Sequence, residues 1–203
     1  TEGAAKKDID EATANHIFDY MLIFAGYGFN KSHAAAYALI AYQTAWLKAY
    51  YPSEFMAAVL TSEMQNTDSI VFLIDDCRIN GLEVFPPSIN MSFYQFHASD
   101  EKTIVYGLGA IKGVGEAAMQ SVIDSRLQDG PYKDLFDFCH RIDLKKINKR
   151  TLEALIRSGA LDCLGIDRAS IMAQLPEAVQ AADQARSNRE TGIMDLFGEV
   201  EEV

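Results

Sequence analysis

Phe24-Ala25-Gly26-Tyr27-Gly28-Phe29-Asn30-Lys31-Ser32-His33 runs directly into Ala34–Leu47, fourteen residues without one charged side chain. The two glycines permit a tight turn. Asn30 or Ser32 can cap the helix that follows by accepting from its orphan amides, and that helix is expected from about His33 to Tyr50. Tyr42, Gln43 and Thr44 interrupt the apolar run, so it reads as a buried helix and not as a membrane span, which needs about 18 or more apolar residues. Its start gathers free backbone N–H groups, the positive end of the helix dipole, the Lys31 ammonium, the Ser32 hydroxyl and the His33 imidazole. That set suits a polyphosphate, and equally a capped helix that binds nothing. The segment is not a Walker A loop, because Ala25 and Asn30 stand where that motif needs glycine. Nor is it a dinucleotide fingerprint, since Gly26-Tyr27-Gly28 lacks the third glycine.

From Phe24 to Pro52 this stretch resembles the fingers domain of the bacterial DNA polymerase III alpha subunits, the C-family replicative DNA polymerases. The resemblance continues through Tyr106-Gly107-Leu108-Gly109-Ala110-Ile111-Lys112-Gly113-Val114-Gly115-Glu116 to Ile156-Arg157-Ser158-Gly159-Ala160-Leu161-Asp162. It implies that Asn30, Lys31, Ser32 and His33 contact the triphosphate of an incoming deoxynucleotide. It also implies that the Mg²⁺ ions of catalysis sit on a palm domain in another part of such a polymerase, and no match to that palm is found here.

The 203 residues carry a net charge of −11, which taken alone argues against nucleic acid. The distribution is more telling. Residues 1–100 hold 12 acidic and 5 basic side chains, whereas 101–167 are balanced, with 10 of each. Within that middle third Arg141, Lys145, Lys146, Lys149, Arg150 and Arg157 cluster against only Asp143 and Glu153. Screening confines fields to about 8–10 Å, so a local basic patch on an acidic chain can still bind phosphate; it can also be a plain solvated face. Cys77, Cys139 and Cys163 are odd in number and form no C-x-x-C pair. That fits a reducing cytoplasm and no zinc or disulfide framework.

Asp8-Ile9-Asp10-Glu11 has the form of a helix start with Asp8 as cap. Further helices are expected over about 53–64, 68–80, 116–128, 133–141, 149–158 and 168–186, and 187–203 reads as a flexible polar tail. Gly81–Pro87 is extended, because Pro86-Pro87 forbids helix. Residues 92–97 and 103–106 read as a short β-hairpin. The fold class is therefore mostly α, in three parts. By the resemblance, residues 1–85 would be the end of the fingers, 86–165 a connector hairpin plus tandem helix-hairpin-helix module, and 166–203 a helix with a clamp-binding tail.

Ile111-Lys112-Gly113-Val114-Gly115 before a helix is the hairpin of a helix-hairpin-helix unit, whose turn exposes amides that hold a DNA phosphate without reading sequence. A second, degenerate copy lies at Lys145–Arg150, with Asn148 as cap; lacking glycines, it would rely on Lys145, Lys146, Lys149 and Arg150. Spacing only permits the tandem arrangement, and the resemblance supports it. The DNA contacts expected are Lys112, Gly113, Gly115, Lys145, Lys146, Lys149 and Arg150. Ile193-Met194-Asp195-Leu196-Phe197 resembles the pentapeptide by which this family holds its sliding clamp, except that Ile193 replaces the leading Gln.

Asp8-x-Asp10 has the D-x-D form of a two-metal site but already makes sense as a cap, and Asp75-Asp76 diverge on a helix. No catalytic or metal-ligating residue is therefore assigned. The chain holds no cofactor itself, with Mg²⁺ left to the palm of the parent enzyme. The partners expected are duplex DNA, the incoming nucleotide in the full enzyme, the sliding clamp and the rest of the polymerase and its holoenzyme, in the cytoplasm, with no membrane. The isolated chain is expected to be inactive. A stand-alone helix-hairpin-helix DNA-binding protein is the alternative, though it leaves residues 24–52 unexplained; a helical adaptor with no nucleic-acid role is a third.

Overall fold

A computed structural model describes residues 2–26 and 31–191. The chain divides into two compact units, 1–47 and 48–203.

The first unit holds α1 (Glu2–Ala5), α2 (Glu11–Gly26) and most of α3 (Lys31–Tyr50). Asp10, not Asp8, starts α2. Its Oδ1 accepts from the Thr13 amide at 2.9 Å and its Oδ2 from the Thr13 hydroxyl at 2.6 Å. Asp8 lies in the preceding turn with φ of 55°, a left-handed conformation that Asp tolerates better than most residues. The helix expected from about His33 begins at Lys31, but its expected burial is not found, since no residue of α2 or α3 is buried. Phe18, Met21, Ile23, Tyr37 and Ile40 are all exposed. An apolar sequence states which surface gains from leaving water; it cannot supply the surface that covers it. The polar break in α3 is satisfied locally, as the Thr44 hydroxyl donates to the Ile40 carbonyl at 3.0 Å.

The second unit begins with α4 (Pro52–Ser62) and α5 (Thr67–Ile79). Pro52 takes the first helical turn of α4, where its missing N–H costs nothing. Asn66 caps α5, accepting from the Ser69 amide at 3.2 Å. A three-stranded sheet follows, made of β1 (Glu83–Phe85), β2 (His97–Ala98) and β3 (Thr103–Val105) in the order β1-β3-β2. The expected hairpin is present as the antiparallel β2–β3 pair, but its first arm is His97–Ala98 and not 92–97. The extended 81–87 segment adds a parallel strand, with Val84 opposite Ile104. Met56, Leu60, Ile70, Cys77, Phe96 and Ile104 form a small core around this sheet.

The remaining helices are α6 (Glu116–Asp129), α7 (Leu135–Arg141), α8 (Lys149–Ser158) and α9 (Arg168–Thr191). They share a larger core that includes Leu108, Met119, Val122, Phe138, Ile147, Leu155 and Ile171. Tyr106 packs against both cores, and beside it Gly107 allows a close approach: a Cβ there would lie 2.7 Å from the Gln95 backbone carbon. Arg126 ties α6 to the 89–92 segment from inside the fold. It is 7% exposed, and its Nη1 donates to the Ile89 and Ser92 carbonyls, both at 2.8 Å. Among the described residues no helix is long and apolar enough to cross a membrane.

Candidate nucleic-acid interface

The first hairpin is anchored from below and open above. Ile111 and Val114 are buried, and the Val114 amide closes the turn on the Ile111 carbonyl at 3.1 Å. Between them Lys112 and Gly113 are exposed. Gly113 has φ of +86°, a conformation that strains any residue with a Cβ. Gly115 is the N-cap of α6 and brings no side chain to satisfy the first amides of the helix. Gly115, Glu116 and Ala117 are exposed, and their amides stand at the positive end of the helix dipole.

The second turn is built differently. The Asp143 carboxylate accepts from the Lys145 amide at 3.0 Å, and the Asp143 carbonyl accepts from the amides of Lys146 and Ile147 at 2.9 and 3.1 Å. Those amides are therefore occupied, and only side chains are left to offer an anion. Buried Ile147 anchors the loop, and Asn148 caps α8 by accepting from the Thr151 amide at 3.0 Å. Lys145, Lys146, Lys149 and Arg150 are exposed around this cap. Lys146 lies 4.0 Å from the Asp143 carboxylate, which Arg186 also approaches at 3.9 Å.

Thr151 brings the two turns together. Its side chain is buried, and its hydroxyl lies 3.3 Å from both the Gly113 carbonyl and Asn148 Oδ1. One hydroxyl proton thus lies between the carbonyl of one hairpin and the cap of the other. All seven residues read from the sequence as DNA contacts lie on these two turns or in the first turn of α8.

Two members of the wider basic cluster have partners within the fold. Arg141 is a structural residue: its guanidinium stacks 4.3 Å from the Tyr132 ring centroid and donates to the Ser125 and Gly130 carbonyls at 2.9 and 2.8 Å. Arg157 pairs with Glu153 at 3.2 Å. Arg126 and Thr151 were not singled out by sequence. A signal for Arg126 existed, since it shares the i, i+3, i+7 face of Met119 and Val122. Thr151 carried none, because its role depends on a contact 38 residues away.

His97 lies beside Arg126 and Phe93, with its ring 4.8 Å from Phe93 and a buried Nδ1 that makes no hydrogen bond. Burial and then the Arg126 charge hold its pKa below the ordinary imidazole value. Burial pushes the Cys77 thiol up to about 11 and Cys139 to about 12, whereas Cys163 is exposed.

The other expected sites lie apart from this surface in sequence. Lys31, Ser32 and His33 occupy the first turn of α3 and are exposed; His33 stacks on Tyr37 at 4.3 Å. Asn30 and the segment Ile193–Phe197 lie outside the described residues. Among the described residues no three His, Cys, Asp or Glu side chains gather to hold a metal. The acidic pairs have other partners: Asp10 caps α2, Asp75 binds Arg78 at 3.0 Å and Asp76 binds Lys48 at 2.6 Å.

Residues 81–171 match the helix-hairpin-helix motif family. Over 97% of its length the chain is 55% identical to the DNA polymerase III subunit alpha of Vibrio cholerae and covers 17% of that protein. It is 56% identical over the same share to the subunit of Xylella fastidiosa (strain Temecula1) and covers 16% of it. For Escherichia coli K12 the identity is 53%, again over 97% of the chain and 17% of the relative. The chain is thus similar along nearly its whole length to one segment of the DNA polymerase III alpha subunits, and the resemblance read from residues 24–52, 106–116 and 156–162 is borne out.

Proposed function

We propose that this chain is the segment of a replicative DNA polymerase alpha subunit that grips the product duplex, with the end of the fingers on one side and a clamp-binding tail on the other. The observation that carries the reading is the pair of exposed turns joined by Thr151. One offers backbone amides at Gly115–Ala117, and the other offers Lys145, Lys149 and Arg150. Amides and flexible cations both recognise phosphate oxygens, and neither reads base edges, so binding would be indifferent to sequence. That suits an enzyme moving along any template.

In this reading Asn30, Lys31, Ser32 and His33 contact the incoming nucleotide triphosphate in the assembled polymerase, and Ile193–Phe197 engage the sliding clamp in the cytoplasm. Phosphoryl transfer, with its Mg²⁺, belongs to a part of the polymerase outside this chain, so the chain alone extends no primer.

The test is fluorescence-anisotropy titration of the full chain with labelled duplexes of unrelated sequence. Equal affinities that weaken steeply with salt support the proposal. Absence of binding at low salt would sink it.

A further inference from the structure

The second turn carries a charge that its geometry does not need. Asp143 Oδ1 accepts from the Lys145 amide at 3.0 Å, and that bond shapes the Asp143–Asn148 loop. A neutral amide oxygen makes the same kind of bond, because Asn and Asp side chains both close such turns. Asn148 does so later in the same loop, where its Oδ1 accepts from the Thr151 amide at 3.0 Å. The other turn bonds, from the amides of Lys146 and Ile147, end on the Asp143 backbone carbonyl and are indifferent to its side chain. The turn therefore requires an oxygen at position 143, and the negative charge is surplus to it.

That charge sits among cations. Asp143 is the only acidic residue from 138 to 152, a stretch that also holds Arg141, Lys145, Lys146, Lys149 and Arg150. The first turn, 111–115, has no acid inside it. Asp143 Oδ2 lies 4.0 Å from Lys146 Nζ, and its Oδ1 lies 3.9 Å from Arg186 Nη1. These two cations differ. The Arg186 side chain is 28% exposed and also donates to the Ile142 carbonyl at 3.1 Å, so it is tied into the fold. The Lys146 side chain is 59% exposed on a flexible stem.

We propose that Asp143 limits the duplex grip: it withholds Lys146 from the DNA and repels the phosphate nearest the second turn. The segment then neutralises phosphates with Lys112, Lys145, Lys149 and Arg150, and Lys146 is held out of the set. The proposal rests on the duplex-binding reading and deepens it. An exposed ion pair at this distance is weak, so the carboxylate trims the affinity without blocking it. A segment that holds any sequence must also let go of it, and each further phosphate neutralised makes release harder by one more displaced counterion. One carboxylate in the turn keeps that number down.

The experiment titrates labelled duplex into the full chain and into three variants, Asp143→Asn, Lys146→Ala and the two combined, at four salt concentrations. Asp143→Asn keeps the oxygen that accepts from Lys145 and removes only the charge, so its circular dichroism should match that of the wild-type chain. It should bind about fivefold tighter at 50 mM salt. Its slope of log affinity against log salt should steepen by about 0.9, so that the loss from 50 to 200 mM salt grows from about 150-fold to about 500-fold. Adding Lys146→Ala should restore the wild-type slope, and Lys146→Ala alone should leave the slope where it was. A change confined to the shape of the turn would move affinity without moving the slope. Equal affinity and slope for the wild-type chain and Asp143→Asn would overturn the proposal and leave the carboxylate a turn residue. Weaker binding by Asp143→Asn would overturn it in the opposite sense, with Asp143 presenting its neighbours to the DNA. A steeper slope that survives Lys146→Ala would overturn the assignment to Lys146. Absence of binding by the wild-type chain and Asp143→Asn alike would remove the duplex-binding reading and this proposal with it, a result distinct from equal and measurable binding.

Discussion

Replacing Lys149 and Arg150 together by alanine should alter the salt dependence of duplex binding by a calculable amount. Both side chains are exposed beside the α8 cap, and no ion pair within 4.0 Å involves either among the described residues. Lys112 and Lys145 are also exposed on the paired turns, and with Lys146 set against Asp143 at 4.0 Å four cations are left for the proposed DNA. Each phosphate neutralised on B-DNA contributes a slope of about −0.9 in log affinity against log salt, so four predict about −3.6. From 50 to 200 mM salt the wild-type chain should then lose about 150-fold in affinity, and the double variant only about 12-fold. The Gly115–Ala117 amides release no counterion, so the residual slope is that of Lys112 and Lys145. Anisotropy titrations at four or five salt concentrations measure both lines. Parallel lines for the two proteins would refute the reasoning and leave the cluster as a solvated face. Thr151→Val is the complementary control: it leaves the number of cations unchanged, so affinity should fall while the slope is preserved.

Arg126→Leu should destabilise the second unit by about 2–4 kcal/mol in chemical denaturation, because it strands the Ile89 and Ser92 carbonyls without their charged donor. The folded-state pKa of His97 lies below its unfolded value near 6.5, so its contribution is present above pH 6.5 and lost as pH falls through the folded value. The urea midpoint should therefore drop on acidification, and His97→Phe should remove that component. In a full polymerase carrying this segment, Lys31→Ala should lower kcat/KM for nucleotide by about 1.5–3 kcal/mol of transition-state binding, as steady-state incorporation would report. Calorimetry against the cognate clamp should find that Phe197→Ala abolishes binding. Ile193→Gln should tighten it by about tenfold, since an unmet polar group costs about 1–3 kcal/mol.

What could be read from the sequence was what adjacent residues decide. The Asn148 cap and the Gly159 stop of α8 were legible because cap and helix are neighbours. So was the Gly113 turn, which requires a conformation that glycine supplies. The strand at 83–85 was read only as extended, because a parallel partner 20 residues on leaves no mark on the strand itself. The start of α2 was misplaced by two residues because Asp8 and Asp10 are both competent caps; the reach to Thr13 decided between them. In the candidate interface charge patterning put Arg141 and Arg157 in the same cluster as Lys149, though not among the expected DNA contacts. Arg141 is held by Tyr132 and backbone carbonyls, whereas Arg157 only pairs at the surface with Glu153, and charge patterning alone cannot tell these apart.

The exposed face of α3 has an optical consequence. Trp46 is the only tryptophan in the chain, it sits within that helix, and it is 42% exposed. Indole emission moves to the blue as water leaves its surroundings. The molecule therefore carries a native reporter of whether the apolar surface of α3 is covered. In the chain alone its emission should lie toward the red and be open to quenching by iodide or acrylamide. When other protein closes over α3 the spectrum should shift and the quenching fall. Assembly could be followed continuously in this way, without a label and at sub-micromolar concentration.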